Sequence, residues 1–234
     1  MKGVIFDWDG VVIDSSAEHE RSWEILSEEI SQSLPEGHFK RGFGKKNEVI
    51  IPDILGWAKN PTEIAKLAER KETIYRALVR QRGVQILPGA HELLASLRNE
   101  EIPRAIGSST PRQNLEAIFA ATGLGEFFDA VVCGDDVANG KPAPDVFLLA
   151  AQKLALAPAD CLVIEDAHAG IEAARRAGIP VLAVATTNPL SDLAHADGAV
   201  ESLNETGPSL LREIHARFSP QNPALRACDA QVLG

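Results

Sequence analysis

Asp7 and Asp9 stand two residues apart at the end of an apolar run, residues 3–6. Side chains leave a sheet at a strand end, so both carboxylates can turn into one cavity. In open parallel sheets, ligands bind beyond the carboxyl ends of the strands, which makes the residues after each further apolar run the next candidates. Gly107, Ser108, Ser109 and Thr110 follow residues 104–106. Gly134, Asp135 and Asp136, with Lys141 close behind, follow residues 130–133, and Glu165 and Asp166 follow residues 161–164. Asp7, Asp9, Glu165 and Asp166 would gather four carboxylates, whose repulsion raises pKa values and destabilises a fold unless a cation intervenes. A hard, oxygen-seeking Mg2+ answers that need by taking one or two carboxylates, a backbone carbonyl and a substrate oxygen. Ser108 and the amides at the start of its helix can hold an anion, and Lys141 adds a compact positive charge. Carboxylates, metal, lysine and helix start together describe a site for a phosphate group.

The elements that must position these groups follow from the same runs. Residues 3–6, 104–106, 130–133, 161–164 and 181–184 are short, and three of them are nearly continuous in Val, Ile, Leu or Ala. That pattern suits strands buried on both faces of a parallel sheet. Helical spacing fills the gaps. Thr110-Pro111 reads as an N-cap with proline at the first helical position, and Gly178 reads as a C-terminal stop. Alternating strand and helix implies an α/β, Rossmann-like doubly wound sheet. Residues 15–83 break the alternation with helical patterns alone. One helix is expected over 17–31, with His19, Trp23, Leu26 and Ile30 roughly on one face, and another long one opens at Asn60-Pro61-Thr62-Glu63. The chain therefore reads as a core of residues 1–14 and 84–234 with a helical domain, residues 15–83, inserted after the first strand. The tail beyond Pro220 reads as irregular and peripheral.

Bulk properties narrow the partners. The 234 residues carry 33 acids against 23 Lys and Arg, a formal charge of -10. That balance disfavours nucleic acid and anionic membrane surfaces as partners, since both need a basic footprint, and neither is expected. It also requires cations to be concentrated locally for any anionic substrate. Cys133, Cys161 and Cys228 lie at no metal-ligand spacing and suit a reducing cytoplasm. The longest uncharged run, residues 177–191, contains Pro180 and Pro189 and is too short and broken to span a bilayer. Asp7 and Asp9 interrupt the N-terminal apolar stretch, so no signal peptide is read there. A monomer or weak dimer is expected.

Read together, four motifs resemble those of the haloacid dehalogenase superfamily, in the branch of β-phosphoglucomutase and small sugar phosphatases. Asp7-Trp8-Asp9-Gly10-Val11-Val12-Ile13-Asp14 resembles the first, Ser108 the second, Gly140-Lys141-Pro142-Ala143-Pro144-Asp145 the third and Glu165-Asp166-Ala167-His168-Ala169-Gly170 the fourth. They occur in order and reach from Met1 to about Thr187. The resemblance implies that Asp7 attacks phosphorus to form an aspartyl-phosphate. It implies that Asp9 protonates the leaving oxygen and then takes a proton from the next attacking hydroxyl. Asp7, the Asp9 carbonyl, Asp166 and Glu165 would hold Mg2+, while Ser108, with Ser109, and Lys141 would bind the phosphoryl oxygens. Members that cleave carbon–halogen or carbon–phosphorus bonds lack an aspartate at the Asp9 position, so phosphate ester chemistry is implied. The insertion would be a cap that closes over the site and selects substrate. His19 falls where β-phosphoglucomutase has a cap-hinge histidine, Trp23 matches too, and Arg41-Gly42-Phe43-Gly44-Lys45-Lys46 resembles its basic cap loop, marking Gly42 and Lys45 for substrate. Gly44 to Glu48, Trp57 and Ala68 to Glu72 are also similar to a plant phosphatase group that includes one acting on a ribitylaminouracil phosphate.

Plainer readings stand beside these. Asp7 and Asp9 could be turn residues, Glu165-Asp166 a helix start, Ser108 a cap and Lys141 a solvated lysine. His19 either faces substrate or packs beside Trp23, and Lys45 and Lys46 form either a substrate loop or a solvated one. Trp57 reads as core of the helical domain and His168 as helix-start surface. Three activities remain: a phosphatase acting on a small sugar or polyol phosphate, a β-phosphoglucomutase-type phosphohexomutase, and a non-catalytic phosphometabolite-binding regulator. The mutase pattern has a basic residue where Pro111 stands, with Arg112 adjacent, and this departure favours the phosphatase.

Overall fold

The structure, a computed structural model, describes residues 1–42 and 45–218. Phe43, Gly44 and the tail beyond Pro220 therefore lie outside the described residues. Its strands are β1 (Gly3–Phe6), β2 (Ile13–Asp14), β3 (Gln85–Ile86), β4 (Arg104–Gly107), β5 (Ala130–Val132), β6 (Cys161–Glu165), β7 (Val181–Val184) and β8 (Gly198–Val200). Its helices are α1 (Ser16–Glu29), α2 (His38–Gly42), α3 (Asn47–Val49), α4 (Pro61–Arg82), α5 (Ala90–Asn99), α6 (Arg112–Thr122), α7 (Asp145–Lys153), α8 (His168–Arg176) and α9 (Pro208–Phe218), with a π-helical segment at Ile50–Leu55.

The chain divides into two compact units. The first comprises Met1–Asp14, Gln85–Arg112 and the described residues from Leu124 onward. Its sheet has six parallel strands in the order β5-β4-β1-β6-β7-β8. β1, β4, β6 and β7 are buried along their whole length, as strands covered on both faces must be. Ile5, Ala105, Val132, Val163 and Val181 face a core completed by Val146, Phe147, Ala150 and Ile171 of α7 and α8. The order reverses at β1, with β4 on one side and β6 on the other, and that switch point is where open α/β sheets bind ligands. Gly178 stops α8 as expected: at φ +70° it donates to Arg175, and Ile179 donates back to Ala174, the paired bonds of a Schellman cap. β8 and the antiparallel pair β2–β3 are additions to the strands read from the sequence.

The second unit comprises Ser15–Val84 and Gln113–Gly123. Asn60 caps α4 by accepting the Thr62 amide (2.8 Å), ahead of Pro61 at the first helical position. Trp23, Leu26, Ile51, Ile64, Ile74 and Leu78 form its core, and Trp57 packs edge-on against Trp23, with ring centroids 5.9 Å apart. Residues 113–123 join these helices rather than the sheet unit, unlike the single contiguous insertion read from the sequence. Asn114 ties them in, donating to Glu72 (2.6 Å) and accepting from Arg76 (3.3 Å).

Candidate active site

The first carboxylate is set by a strand end and a tight loop. The Asp7 amide still pairs with Ile164 of β6 (2.9 Å), after which the Trp8 carbonyl accepts the amides of Val11, Val12 and Ile13. Gly10 turns this loop at φ +83°, where a Cβ would lie 2.1 Å from Asp166 Oδ2. Only glycine meets both demands. Asp7, Glu165 and Asp166 offer carboxylate oxygens all within 4.8 Å of one another, and all three residues are buried.

Lys141 holds this cluster together. Its ammonium donates to Asp7 Oδ1 and to Glu165 Oε1, both at 2.7 Å, and lies 4.7 Å from the Phe147 ring centroid. Burial opposes its charge, yet Asp7 and Glu165 outweigh that and hold the lysine protonated, above the ordinary lysine range. Glu165 Oε2 accepts the amides of Asp166 and Ala167, both at 2.6 Å, so Glu165 also secures the start of α8. One ammonium against three carboxylates leaves two negative charges uncompensated. Desolvation first, and then Glu165 and Asp9, push Asp7 up to about 7 against the opposing pull of Lys141. Desolvation, Glu165 and Asp7 raise Asp166 well above the usual carboxylate range. A hard divalent cation matches both the missing charge and the all-oxygen donor set.

Asp9 is held from the next strand end. The Thr110 hydroxyl donates to Asp9 Oδ2, while the Thr110 amide donates to Ser108 Oγ (3.0 Å). Thr110 therefore fixes Asp9 rather than capping α6, which begins at Arg112. Ser108 is buried beside this loop and Ser109 is exposed. Asp135 and Asp136 do not join the acidic cluster, because they bind Arg112. Its amide donates to Asp135 Oδ2 (2.8 Å), and its guanidinium grips both oxygens of Asp136 (2.8 and 2.6 Å). Partial burial works against the Asp136 charge, but the Cys133 amide and Arg112 bring its pKa down to about 2.

Residues 1–178 match the haloacid dehalogenase-like hydrolase family model. The chain belongs to that family. It is 36% identical over 206 residues to the chloroplastic 5-amino-6-(5-phospho-D-ribitylamino)uracil phosphatase of Arabidopsis thaliana, covering 87% of this chain and 55% of that protein's length. It is 34% identical over 219 residues to the β-phosphoglucomutase of Bacillus subtilis, covering 91% of this chain and 95% of that one. Among solved structures, a family IA, variant 3 hydrolase from Entamoeba histolytica superposes with a TM-score of 0.84 at 28% identity, over 92% of this chain and all of that one.

The strand-end cluster has partners that the four sequence motifs do not contain. Thr187 Oγ1 donates to Asp166 Oδ2 (2.5 Å), Asn188 Nδ2 donates to the Asp166 carbonyl (3.0 Å), and the Thr186 hydroxyl donates to the Gly10 carbonyl. All three follow the fifth apolar run, so the strand-end rule applied once more reaches them. In the helical unit, His19 is half-buried and stacks on Tyr75, centroids 4.0 Å apart. Its Nδ1 faces the buried Lys71 ammonium at 2.6 Å. Desolvation and then Lys71 push the imidazole down to about 3, so it is neutral at ordinary pH. Lys71 also pairs with Glu72 (2.9 Å) and lies over the Trp23 and Tyr75 rings. Gly42 is buried at the end of α2 against Ile50, and Lys45 is exposed. His168 is exposed at the start of α8, beside His195. Among the described residues, no helix is long and apolar enough to cross a membrane.

Proposed function

We propose that this hydrolase is a Mg2+-dependent phosphatase acting on a small phosphate monoester, a sugar or polyol phosphate, through an aspartyl-phosphate on Asp7. The observation that carries the reading is the Lys141 ammonium shared between Asp7 and Glu165 in a buried cluster of three carboxylates. Asp7 Oδ1 is engaged by Lys141, which lowers its charge cost and orients the carboxylate for attack on phosphorus. As the phosphorus–oxygen ester bond breaks, Asp9 gives its proton to the leaving oxygen. Asp9 then takes a proton from water, whose oxygen attacks phosphorus, releasing inorganic phosphate and restoring Asp7. Thr110 steers Asp9 through both transfers. Ser108 and Lys141 bind the phosphoryl oxygens as their charge redistributes. Asp7, Asp166 and the Asp9 carbonyl would hold Mg2+, which supplies positive charge to the transferring group. Glu165, with both oxygens already bonded, contributes its charge and the placement of Lys141. The helical unit would act as the cap, with the exposed Lys45 and, in that unit, His19 and Gly42 as the residues that select substrate.

The relationship to a β-phosphoglucomutase along nearly its whole length supports a second reading, a phosphohexomutase in which a sugar hydroxyl replaces water. Arg112 argues against it. The one cation beside Pro111 has its guanidinium already closed on Asp136, so it offers little charge to a second phosphate. The test is phosphate release from a generic aryl phosphate and a panel of sugar, polyol, nucleotide and glycolate phosphates. Release that requires Mg2+ and is abolished by chelator and by Asp7→Asn supports the phosphatase. Conversion of a hexose 1-phosphate to its 6-phosphate without net phosphate release selects the mutase. Turnover surviving Asp7→Asn overturns the covalent route in both.

A further inference from the structure

We propose that Thr187, backed by Asn188, is a positioning residue that sets the cation affinity of the site through Asp166. The inference rests on the reading of Asp166 as a metal ligand. The Thr187 hydroxyl lies 2.5 Å from Asp166 Oδ2 and 3.1 Å from the Asp166 carbonyl. A hydroxyl has one proton, and the shorter, charge-assisted contact to the carboxylate takes it. The Asn188 amide nitrogen has two protons and two partners, the Asp166 carbonyl at 3.0 Å and Thr187 Oγ1 at 3.1 Å. Asn188 therefore donates to Thr187, and Thr187 to Asp166, in one directed chain.

The same carboxylate oxygen is also crowded by the first-motif loop. Gly10 approaches Asp166 so nearly that any Cβ would overlap Oδ2 and Cγ, and the Thr186 hydroxyl holds the Gly10 carbonyl. Three consecutive residues past β7 thus grip both Asp166 and the loop that presses on it. The carboxylate keeps a single orientation, and its remaining lone pairs are the ones offered to a cation. Loss of a group that orients a ligating side chain typically costs about 10–100-fold in metal affinity or activity. Thr187 touches neither substrate nor phosphoryl group in this scheme, so its influence is exerted on the metal.

Thr187 is exposed, so its substitution leaves the fold intact. Mg2+ and Mn2+ binding to the substrate-free protein, followed by isothermal titration, gives a readout independent of turnover. Thr187→Val is expected to weaken binding at least about tenfold, with kcat at saturating Mg2+ falling much less than the Mg2+ requirement rises. Thr187→Ser, which keeps the hydroxyl, restores most of the affinity, and Asn188→Ala weakens it to a smaller degree. Thr187→Val binding Mg2+ as tightly as the unaltered protein overturns the inference. Asp166→Asn separates the two layers. Loss of binding there with unchanged Thr187→Val sinks only the positioning role, whereas unchanged binding in Asp166→Asn sinks the reading of the ligand itself.

Discussion

Gly170→Ala sets two opposing effects against each other, and the structure decides between them. Gly170 lies inside α8, where alanine is worth about 1 kcal/mol more than glycine by helix propensity alone. Its Cβ, however, would sit 1.6 Å from Glu165 Oε1, 2.0 Å from Cδ and 2.7 Å from Cγ. The whole carboxylate must then move. That carboxylate accepts the Asp166 and Ala167 amides and the Lys141 ammonium, each a charge-assisted bond worth about 1.5–3 kcal/mol. Losing even two of them outweighs the propensity gain and leaves a net loss of about 2 kcal/mol or more. For a protein of this size that is a fall in Tm of roughly 4–8 °C. Thermal unfolding of Gly170→Ala in the absence of Mg2+ reads it directly. In a Glu165→Ala background the clash is gone, so the same substitution should stabilise, a reversal of sign that a double-mutant cycle records. A single variant as stable as the unaltered protein, or more so, would refute the packing argument.

Two further outcomes follow from the charge arrangement. Lys141→Ala leaves two buried carboxylates without their shared ammonium, a change of about 3–5 kcal/mol in comparable buried pairs. Added Mg2+ should therefore raise the Tm of the variant more than that of the unaltered protein, and an equal rise would contradict the compensation. In the helical unit, desolvation and Lys71 hold His19 at about 3 instead of 6.5. Burial alone would raise Glu72, but Lys71, His19, Asn47 and Asn114 bring it down to about 2 from 4.5. Both groups bind protons more readily in the unfolded chain. Stability of this unit should be full above about pH 6.5, fall as pH drops towards 3, and steepen below 4.5 as Glu72 adds its share. Denaturant unfolding followed by fluorescence across that range checks it, and His19→Phe should flatten the upper part of the fall.

Much of this was legible in the sequence because the signals are local. Buried parallel strands demand short runs of branched residues, and the site hangs from their ends. Asp7, Ser108, Lys141, Glu165 and Asp166 can all be located from that rule together with the spacing of the motifs. What was not legible depends on partners remote in the chain. Thr110 has the composition of a helix cap, and only the arrival of Asp9 from β1 gives its hydroxyl another acceptor. Asp135 and Asp136 look like two more site acids until Arg112 folds onto them. Residues 113–123 look like an ordinary crossover helix, and their grouping with α4 rests on Asn114 finding Glu72 and Arg76. β8 is three residues beginning in glycine, too short for any period to show. Thr186, Thr187 and Asn188 carry no motif; the strand-end rule reaches their position, but their role emerges only from hydrogen bonds to Gly10 and Asp166.

Covalent phosphorylation of Asp7 is the step on which the proposed phosphatase chemistry depends. Rapid acid quench of a single turnover with phosphate-labelled aryl ester and Mg2+, followed by proteolysis and mass spectrometry, measures it most directly. Transient label is expected on the peptide carrying Asp7, decaying as inorganic phosphate appears and absent from Asp7→Asn. Full turnover with no labelled Asp7 peptide at any time, or label on another residue, would contradict it.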